Sequence, residues 1–427
     1  MSQSTAAPRW ATHLAGAAMM LGLGAFAVPI SGATPAASGA DRDSATWHSS
    51  WTTAQQTTGP QLDNQTVRTV VHLTQGGRRL WVSRANQASD DPITINGVAV
   101  GRREGMAGMV AESVRPVTFN GLRAVTIEPG KRVTSDQVRV NVQPQKDLFV
   151  DTYVVGPAAP SAHTSAFDTS FLTPAGSGDH SGESSGGAFT GTTESFLLVS
   201  SVDVLNPDVT GTVAVVGGSV VDGLGSRTTG TLGSGPAAQP NSRWSDVLAR
   251  RLLQKQPADR QISVVNAGIS GNTASPTCAP SDSEAANVTQ RFGRDVLSRA
   301  GLTHVLVYAG TNDIANPDCT AAQIIAAFKG LAKKAHMREL EIFFATLTPR
   351  DSYGAAQNKR RRTVNRWLLG DGRCSGFCDG VADFDAAIAS PEEPNRIDPR
   401  YDSGDGVHPN ADGYARMGRV VPLSFFR

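Results

Sequence analysis

The sequence predicts an α/β protein with a doubly wound parallel sheet, preceded by a smaller β-sandwich or jelly-roll-like domain. Three observations predict this fold class. Short β-branched segments follow one another from about residue 47 to 155, and a Gly/Ser-rich stretch comes after them. From about residue 209, short apolar strands alternate with longer helical patterns. The 427 residues are about the right length for two domains.

The first 40 residues have the features of a signal peptide. Arg9 precedes an apolar stretch, roughly 14–30, and small residues follow, with Ala33 or Ala40 as the last residue removed. The apolar stretch is short for a membrane span, although an uncleaved anchor is the alternative. We therefore expect a secreted, extracellular protein without a stable membrane anchor.

The next region, residues 45–173, is predicted to be the β-rich domain. Segments such as "TVRTVVHLTQ" and "QVRVNVQP" are β-branched, often alternate, and are separated by Gly, Pro, Asp or Asn. Such a domain could bind carbohydrate or only pack against its neighbour. Residues 174–208 are interpreted as a Gly/Ser-rich linker and connection. The linker contains a G-x-S-x-G match around Ser184, but no strand precedes and no helix follows, so we interpret the match as accidental.

The α/β domain is predicted over residues 209–427. Segments such as "TVAVVGG", "ISVVNAG" and "THVLVYAG" are short and apolar, as buried parallel strands are. Between them, "RWSDVLARRLLQK" and "TAAQIIAAFKGLAKKAHM" have apolar residues at helical spacing. Sites in such sheets lie at the carboxyl ends of the strands, which indicates where chemistry is expected.

Polar residues follow these strands in four places. Ser219 begins a helix after "VAVVGG", Gly271 lies in "NAGISGN", and Asn312 follows "VYAGT". Asp405 and His408 stand three residues apart before a final helix. Each alone fits a cap or a turn. Together they offer a nucleophile, a base, an orienting carboxylate and oxyanion donors at one sheet edge.

These stretches resemble the blocks that define SGNH (GDSL-like) hydrolases, whose α/β domain is flavodoxin-like. The resemblance covers roughly residues 209–427, and the β-rich segment is similar to that of secreted bacterial members. It implies a serine esterase with catalytic Ser219, Asp405 and His408, and an oxyanion hole of Ser219, Gly271 and Asn312. No cofactor or metal is implied.

One residue departs from the family pattern. The pattern G-D-S stands here as Gly217-Gly218-Ser219, so the aspartate before the nucleophile is missing. The loss leaves the chemical groups intact and affects the rigidity of the loop. We therefore expect a slow esterase, and expect Gly218→Asp to raise its turnover.

The substrate class stays open among three hypotheses. A carboxylic esterase for short-chain acyl groups or acetylated carbohydrate is favoured because no long apolar lid is evident. A lipase or phospholipase, and a non-catalytic carbohydrate-binding protein on a decayed hydrolase fold, are the alternatives. The net charge of +1 gives no field that would attract nucleic acid. The expected partner is a small-molecule or glycan ester, bound by a monomer.

Four cysteines in an exported chain suggest two disulfides, with three possible connectivities. Cys278 and Cys319 each closely follow a strand end of the predicted site, and Cys374 and Cys378 flank a three-residue loop. We predict the pairs 278–319 and 374–378. A metal half-site at C-x3-C is the weaker interpretation, since no Cys or His pair completes it.

Overall fold

The computed structural model describes residues 46–279, 285–370 and 373–427. Residues 44–427 cluster as one compact unit. We call residues 46–205 the β-rich region and residues 209–427 the α/β region. The predicted signal peptide lies outside the described residues. The boundaries of the predicted domains stay a prediction.

The β-rich region contains short strands joined by turns. Its strands are β1 (Trp47–Thr52), β2 (Thr57–Thr58), β3 (Gln65–Leu73), β4 (Gly77–Asn86), β5 (Ile93–Ile95), β6 (Gly97–Glu104), β7 (Gly108–Met109), β8 (Arg115–Pro116), β9 (Val125–Ile127), β10 (Lys131–Thr134), β11 (Val138–Val142), β12 (Lys146–Val154), β13 (Ser161–His163), β14 (Ser170–Leu172), β15 (Gly191–Thr193), β16 (Phe196–Leu197) and β17 (Val199–Leu205).

Two antiparallel sheets dominate this region. One has the order β1-β17-β4-β10, with β11 also paired to β4, and the other has the order β15-β14-β3-β12-β6-β7, with β8 also paired to β6. Val82 and Val202 of the first sheet share one apolar cluster with Val71 and Val150 of the second. Two sheets that bury their inner faces against each other are the layers of a sandwich. The predicted β-rich region is confirmed.

The predicted linker differs from the structure at its carboxyl-terminal end. Residues 191–205 form β15, β16 and β17, and β17 lies between β1 and β4. Residues 174–190 contain no strand or helix, and Ser184 lies there in a loop. The chain therefore returns to the first sheet before it enters the α/β region.

The α/β region alternates strands and helices. Its elements are β18 (Val209–Gly217), α1 (Ser219–Asp222), α2 (Trp244–Lys255), β19 (Gln261–Gly268), α3 (Val288–Phe292), β20 (Leu302–Tyr308), α4 (Thr311–Ala315), α5 (Ala321–His336), β21 (Glu341–Ala345), α6 (Ala355–Leu369), α7 (Arg373–Gly376), β22 (Gly380–Ala382), α8 (Phe384–Ile388) and α9 (Ala411–Val420).

The five strands that the structure describes in this region form one parallel sheet. Their order is β19-β18-β20-β21-β22, and every pairing is parallel. Strand β18, which lies between β19 and β20, is buried along nearly its whole length, as its continuous apolar sequence predicts. The predicted parallel sheet is confirmed, whereas the doubly wound, flavodoxin-like arrangement of helices about it stays a prediction.

Helix boundaries follow local sequence signals. Thr320 caps α5 by accepting a hydrogen bond from the backbone N–H of Gln323, whose side chain accepts one in return from Thr320 N. Asn410 caps α9 in the same position, through Gly413 N. Among the described residues, no helix combines the length and the apolar composition that crossing a bilayer requires.

The two regions are joined by buried hydrogen bonds. Ser263 Oγ on β19 donates to the backbone oxygen of Ser49 at 2.6 Å, and Thr52 Oγ1 donates to the backbone oxygen of Asn266 at 2.8 Å. Strand β1 therefore lies against β19, the strand that leads to Gly271.

Candidate active site

Ser219 lies at the carboxyl end of the interior strand β18, where the chain turns into α1. The turn requires glycine at position 217, since a Cβ there would overlap the backbone oxygen of Tyr308 on β20. Gly223 ends the helix in a left-handed conformation, with φ of 113°. The short α1 therefore presents a half-buried Ser219 at the sheet edge.

Three predicted site residues form a continuous hydrogen-bonded chain. Ser219 Oγ lies 2.8 Å from His408 Nε2, and His408 Nδ1 lies 2.6 Å from Asp405 Oδ2. The imidazole is 12% exposed and the carboxylate 49% exposed. The structure thus brings Ser219 to two side chains that lie at least 186 residues later in the chain, in the order hydroxyl, imidazole, carboxylate.

Asp405 also fixes the loop that carries the histidine. Its Oδ1 accepts hydrogen bonds from the backbone N–H groups of Val407 and His408, at 2.9 and 2.8 Å. Partial burial acts to raise the pKa of Asp405, but the hydrogen bonds from the His408 ring and from these N–H groups outweigh it and lower that pKa. The carboxylate is therefore ionised at neutral pH and holds the Nδ1–H tautomer of His408.

Asn312 and Gly271 lie on the two neighbouring strand ends. Asn312 is in α4 after β20, and its Nδ2 donates to the backbone oxygen of Asn272 at 3.0 Å. Gly271 follows β19 with φ of +78°, and a Cβ there would meet nothing within 4 Å. A Cβ on Gly218, beside Ser219, would lie 3.1 Å from Asn312 Nδ2. The amide of Asn312 is therefore adjacent to the serine turn.

Asp222 is a site residue that the sequence reasoning missed. Its Oδ2 accepts hydrogen bonds from Ser270 N at 2.9 Å and from Ser270 Oγ at 2.7 Å. Asp222 lies one helical turn after Ser219, and Ser270 immediately precedes Gly271, so this carboxylate ties α1 to the Gly271 loop. The spacing S-x-x-D in "GGSVVDG" is the signal that could have identified it.

The other oxygen of Asp222 contacts a histidine from the β-rich region. His163 Nε2 lies 2.9 Å from Asp222 Oδ1, and His163 Nδ1 lies 2.9 Å from the backbone oxygen of Ala54. A carbonyl can only accept, so Nδ1 carries a proton and a further proton lies between Nε2 and the carboxylate. Burial lowers the pKa of His163, but Asp222 outweighs it and raises that pKa.

Arg291 is a second residue that the sequence reasoning missed. It is fully buried and donates to the backbone oxygens of Gly217 and Ala267, at 3.0 and 2.7 Å, and to Asn272 Oδ1 at 2.9 Å. One guanidinium therefore holds the ends of β18 and β19 and the residue after Gly271. No local motif marks this arginine.

Residues 215–416 match the GDSL-like Lipase/Acylhydrolase family. The chain carries a GDSL-like lipase/acylhydrolase domain. This range contains every residue of the hydrogen-bonded chain and both neighbouring strand ends. The match supports an ester hydrolase in general. No curated protein matches the chain.

Several solved structures resemble the chain. A carbohydrate acetylesterase family member from Sinorhizobium meliloti is 20% identical with a TM-score of 0.36, and the match covers 49% of this chain and 96% of that one. A GDSL-like lipase from Bacteroides thetaiotaomicron VPI-5482 is 16% identical with a TM-score of 0.34, covering 50% and 87%. A family two carbohydrate esterase from Clostridium thermocellum, in complex with cellohexaose, is 14% identical with a TM-score of 0.37, covering 85% and 92%.

Two disulfides brace the GDSL-like domain. Cys278 pairs with Cys319 and Cys374 pairs with Cys378, which is the pairing predicted from the sequence. Cys278, Cys319 and Asp313 lie close enough to suggest a metal site, but both sulfurs are in the disulfide and cannot act as thiolate ligands. Disulfides are typical of extracellular proteins.

Proposed function

We propose that the chain is a secreted serine esterase that hydrolyses carboxylic esters of short acyl groups or acetylated carbohydrate. The observation that carries the proposal is the hydrogen-bonded chain Ser219–His408–Asp405 at the edge of the parallel sheet. Secretion is supported by the two disulfides and by the amino-terminal sequence.

In the proposed mechanism, the Ser219 hydroxyl attacks the ester carbonyl carbon while its proton passes to His408 Nε2. Asp405 holds the imidazole in position and stabilises its cation. The imidazolium then returns the proton to the leaving alcohol as the carbon–oxygen bond breaks. Water, deprotonated by the same imidazole, hydrolyses the acyl-serine and releases the acid.

The negative oxygen of each tetrahedral intermediate is assigned to three donors, the backbone N–H groups of Ser219 and Gly271 and the side-chain amide of Asn312. One such donor is typically worth roughly 3 kcal/mol of barrier. Arg291 and Asp222 act as positioning residues, because they hold the backbone of these loops without facing the reacting atoms.

A fluorophosphonate probe tests the nucleophile directly. We expect mass spectrometry to find the adduct on Ser219, and expect Ser219→Ala and His408→Ala to lose labelling and ester hydrolysis while their unfolding temperatures stay near that of the wild type. Ser184→Ala is the matched control and should label normally. A folded protein that does not label would favour the carbohydrate-binding alternative, and loss of labelling in Ser184→Ala alone would refute the assignment.

Substrate class is tested separately, with nitrophenyl esters of increasing chain length beside a panel of acetylated glycans. We expect the highest kcat/KM on acetyl or other short-chain esters. Highest kcat/KM on long-chain esters would favour the lipase or phospholipase alternative.

A further inference from the structure

A cavity lined largely by charged and polar residues lies away from Ser219, where the β-rich region contacts residues 293–299. Its volume is about 220 Å³. That is well above the roughly 15 Å³ that one water needs and below the roughly 300 Å³ of pockets for drug-sized ligands. The charged and polar side chains that matter for its chemistry are Gln55, Lys131, Arg132, Ser200, Arg294 and Arg299.

Four buried atoms in this lining have no hydrogen-bond partner among the described residues. They are Gln55 Nε2, Ser200 Oγ, and Nε and Nη1 of Arg299. Gln55, Ser200 and Arg299 are 3%, 5% and 8% exposed. Buried donors are almost always satisfied in folded proteins, so a cluster of four calls for an acceptor in the cavity. All four atoms can donate, and three of them can only donate.

The guanidinium of Arg299 is held in place by its third nitrogen. Nη2 donates to the backbone oxygen of Arg294 at 2.9 Å and to Ser298 Oγ at 3.3 Å. The guanidinium of this cavity-lining residue is therefore fixed in place instead of moving with a flexible side chain.

The cavity also has an excess of positive charge. Lys131, Arg132, Arg294 and Arg299 line it with a single carboxylate, Asp295. Asp295 is already engaged by Arg294 at 2.7 Å and Arg291 at 3.3 Å. Burial, and next the nearby charge of Arg132, lower the pKa of Arg299 to about 10. The charges of Asp295 and of the buried Asp203 oppose this lowering without cancelling it.

We propose that this cavity binds a small oxyanion, a phosphate or sulfate group, on Arg299, Gln55 and Ser200. Arginine suits this role because its N–H groups carry positive charge and form charge-assisted hydrogen bonds to the oxygen atoms of such groups. Gln55 and Ser200 come from the β-rich region and Arg299 from the α/β region, so the bound anion bridges the two. The site is independent of the proposed esterase chemistry.

Thermal unfolding of the full chain with inorganic phosphate tests the proposal, with sodium chloride of equal ionic strength as reference. We expect a saturable rise in unfolding temperature with phosphate only, because a ligand that binds the folded state stabilises it. Arg299→Gln should weaken phosphate binding by about tenfold or more, the loss of one charge-assisted hydrogen bond. Arg338→Gln removes an exposed charge elsewhere and should bind as the wild type does.

Glucose 6-phosphate in the same titration distinguishes a phosphate ester from free phosphate, and Arg299-dependent binding of either supports the site. Equal stabilisation by chloride, or equal phosphate binding by Arg299→Gln, overturns it. If Arg299→Gln does not fold, the double variant Gln55→Ala/Ser200→Ala decides. It keeps every charge and should still lose about tenfold in phosphate affinity, and unchanged affinity there refutes the proposal.

Discussion

Replacing Gly218 with alanine tests whether the serine turn and the oxyanion donor are as tightly coupled as the structure indicates. Gly218 has φ of −93° and ψ of −153°, an extended conformation that any residue can adopt, so alanine introduces no backbone strain. Its added Cβ would lie 3.1 Å from Asn312 Nδ2 and 3.2 Å from the backbone oxygen of Asn272. Both neighbours must move by a few tenths of an ångström.

The size of the effect follows from that displacement. A misplacement of about 1 Å can lower a rate about a hundredfold, so a shift of about 0.3 Å scales to a loss of about fourfold in kcat. Complete loss of the Asn312 donor, on the order of a hundredfold to a thousandfold, is the upper bound. KM should change little, because an oxyanion donor acts mainly on the transition state.

The assay is steady-state hydrolysis of nitrophenyl acetate, with kcat and KM measured separately. Gly330→Ala is the matched control, since a Cβ there meets nothing within 4 Å, and its kcat should equal that of the wild type. An unchanged kcat in Gly218→Ala, or a rise in KM alone, would refute the coupling between the turn and Asn312.

Gly218→Asp adds a carboxylate to the same steric contact. The sequence predicts that this acceptor orders the loop and raises turnover. The structure shows that the Cβ of any side chain at this position also contacts Asn312, and Gly218→Ala measures that steric effect without the carboxylate. We therefore expect a higher kcat for Gly218→Asp than for Gly218→Ala, with the same substrate preference. Equal kcat values would mean that the missing aspartate is no defect of this site.

Three further predictions concern the donor, the buried histidine and the disulfides. Asn312→Ala should lower kcat on the order of a hundredfold with little change in KM; an unchanged kcat with a raised KM would make it a ground-state binder. Because folding raises the pKa of His163, its stabilisation is present below the unfolded pKa of about 6.5 and is lost as pH rises through the folded pKa. Urea titrations should therefore show that the difference in unfolding free energy between the wild type and His163→Gln decreases as the pH rises above about 6.5. A difference that does not change with pH would contradict this. Removing the Cys278–Cys319 disulfide, with its separation of 41 residues, should lower the free energy of unfolding by about 4 kcal/mol, and removing the Cys374–Cys378 disulfide, with its separation of 4, by about 2 kcal/mol. The longer loop loses more entropy when it is closed in the unfolded chain, so equal decreases in denaturant titrations would contradict this reasoning.

Strand ends were predictable because their signals are local. Ser219 follows a continuous apolar run and two glycines, and Asp405 and His408 stand three residues apart. Parallel strands necessarily end at one edge, so the sequence alone indicated that these residues lie near each other. The structure adds the distance, with Ser219 Oγ 2.8 Å from His408 Nε2.

Strand β17 shows where composition misled the sequence reasoning. Residues 174–190 are rich in Gly and Ser, and the interpretation as a linker was extended through residue 208. Residues 199–205 instead lie between β1 and β4, whose residues are more than 110 positions earlier in the chain. A strand's partner is chosen by packing across the sheet, which composition along the chain does not record.

What the sequence by itself determined is therefore the chemistry that can be read from neighbouring residues: the alternation of strands and helices, the nucleophile turn, and the Asp–His pair before the last helix. Only the tertiary structure decided that His163 contacts Asp222, that Arg291 holds three loop ends, and that Arg299 lines a polar cavity with Gln55 and Ser200. The physical reason is that a lone histidine or arginine resembles any solvated residue in a sequence. Its role depends on burial and on partners brought from distant parts of the chain, which exist only after the sheets have packed.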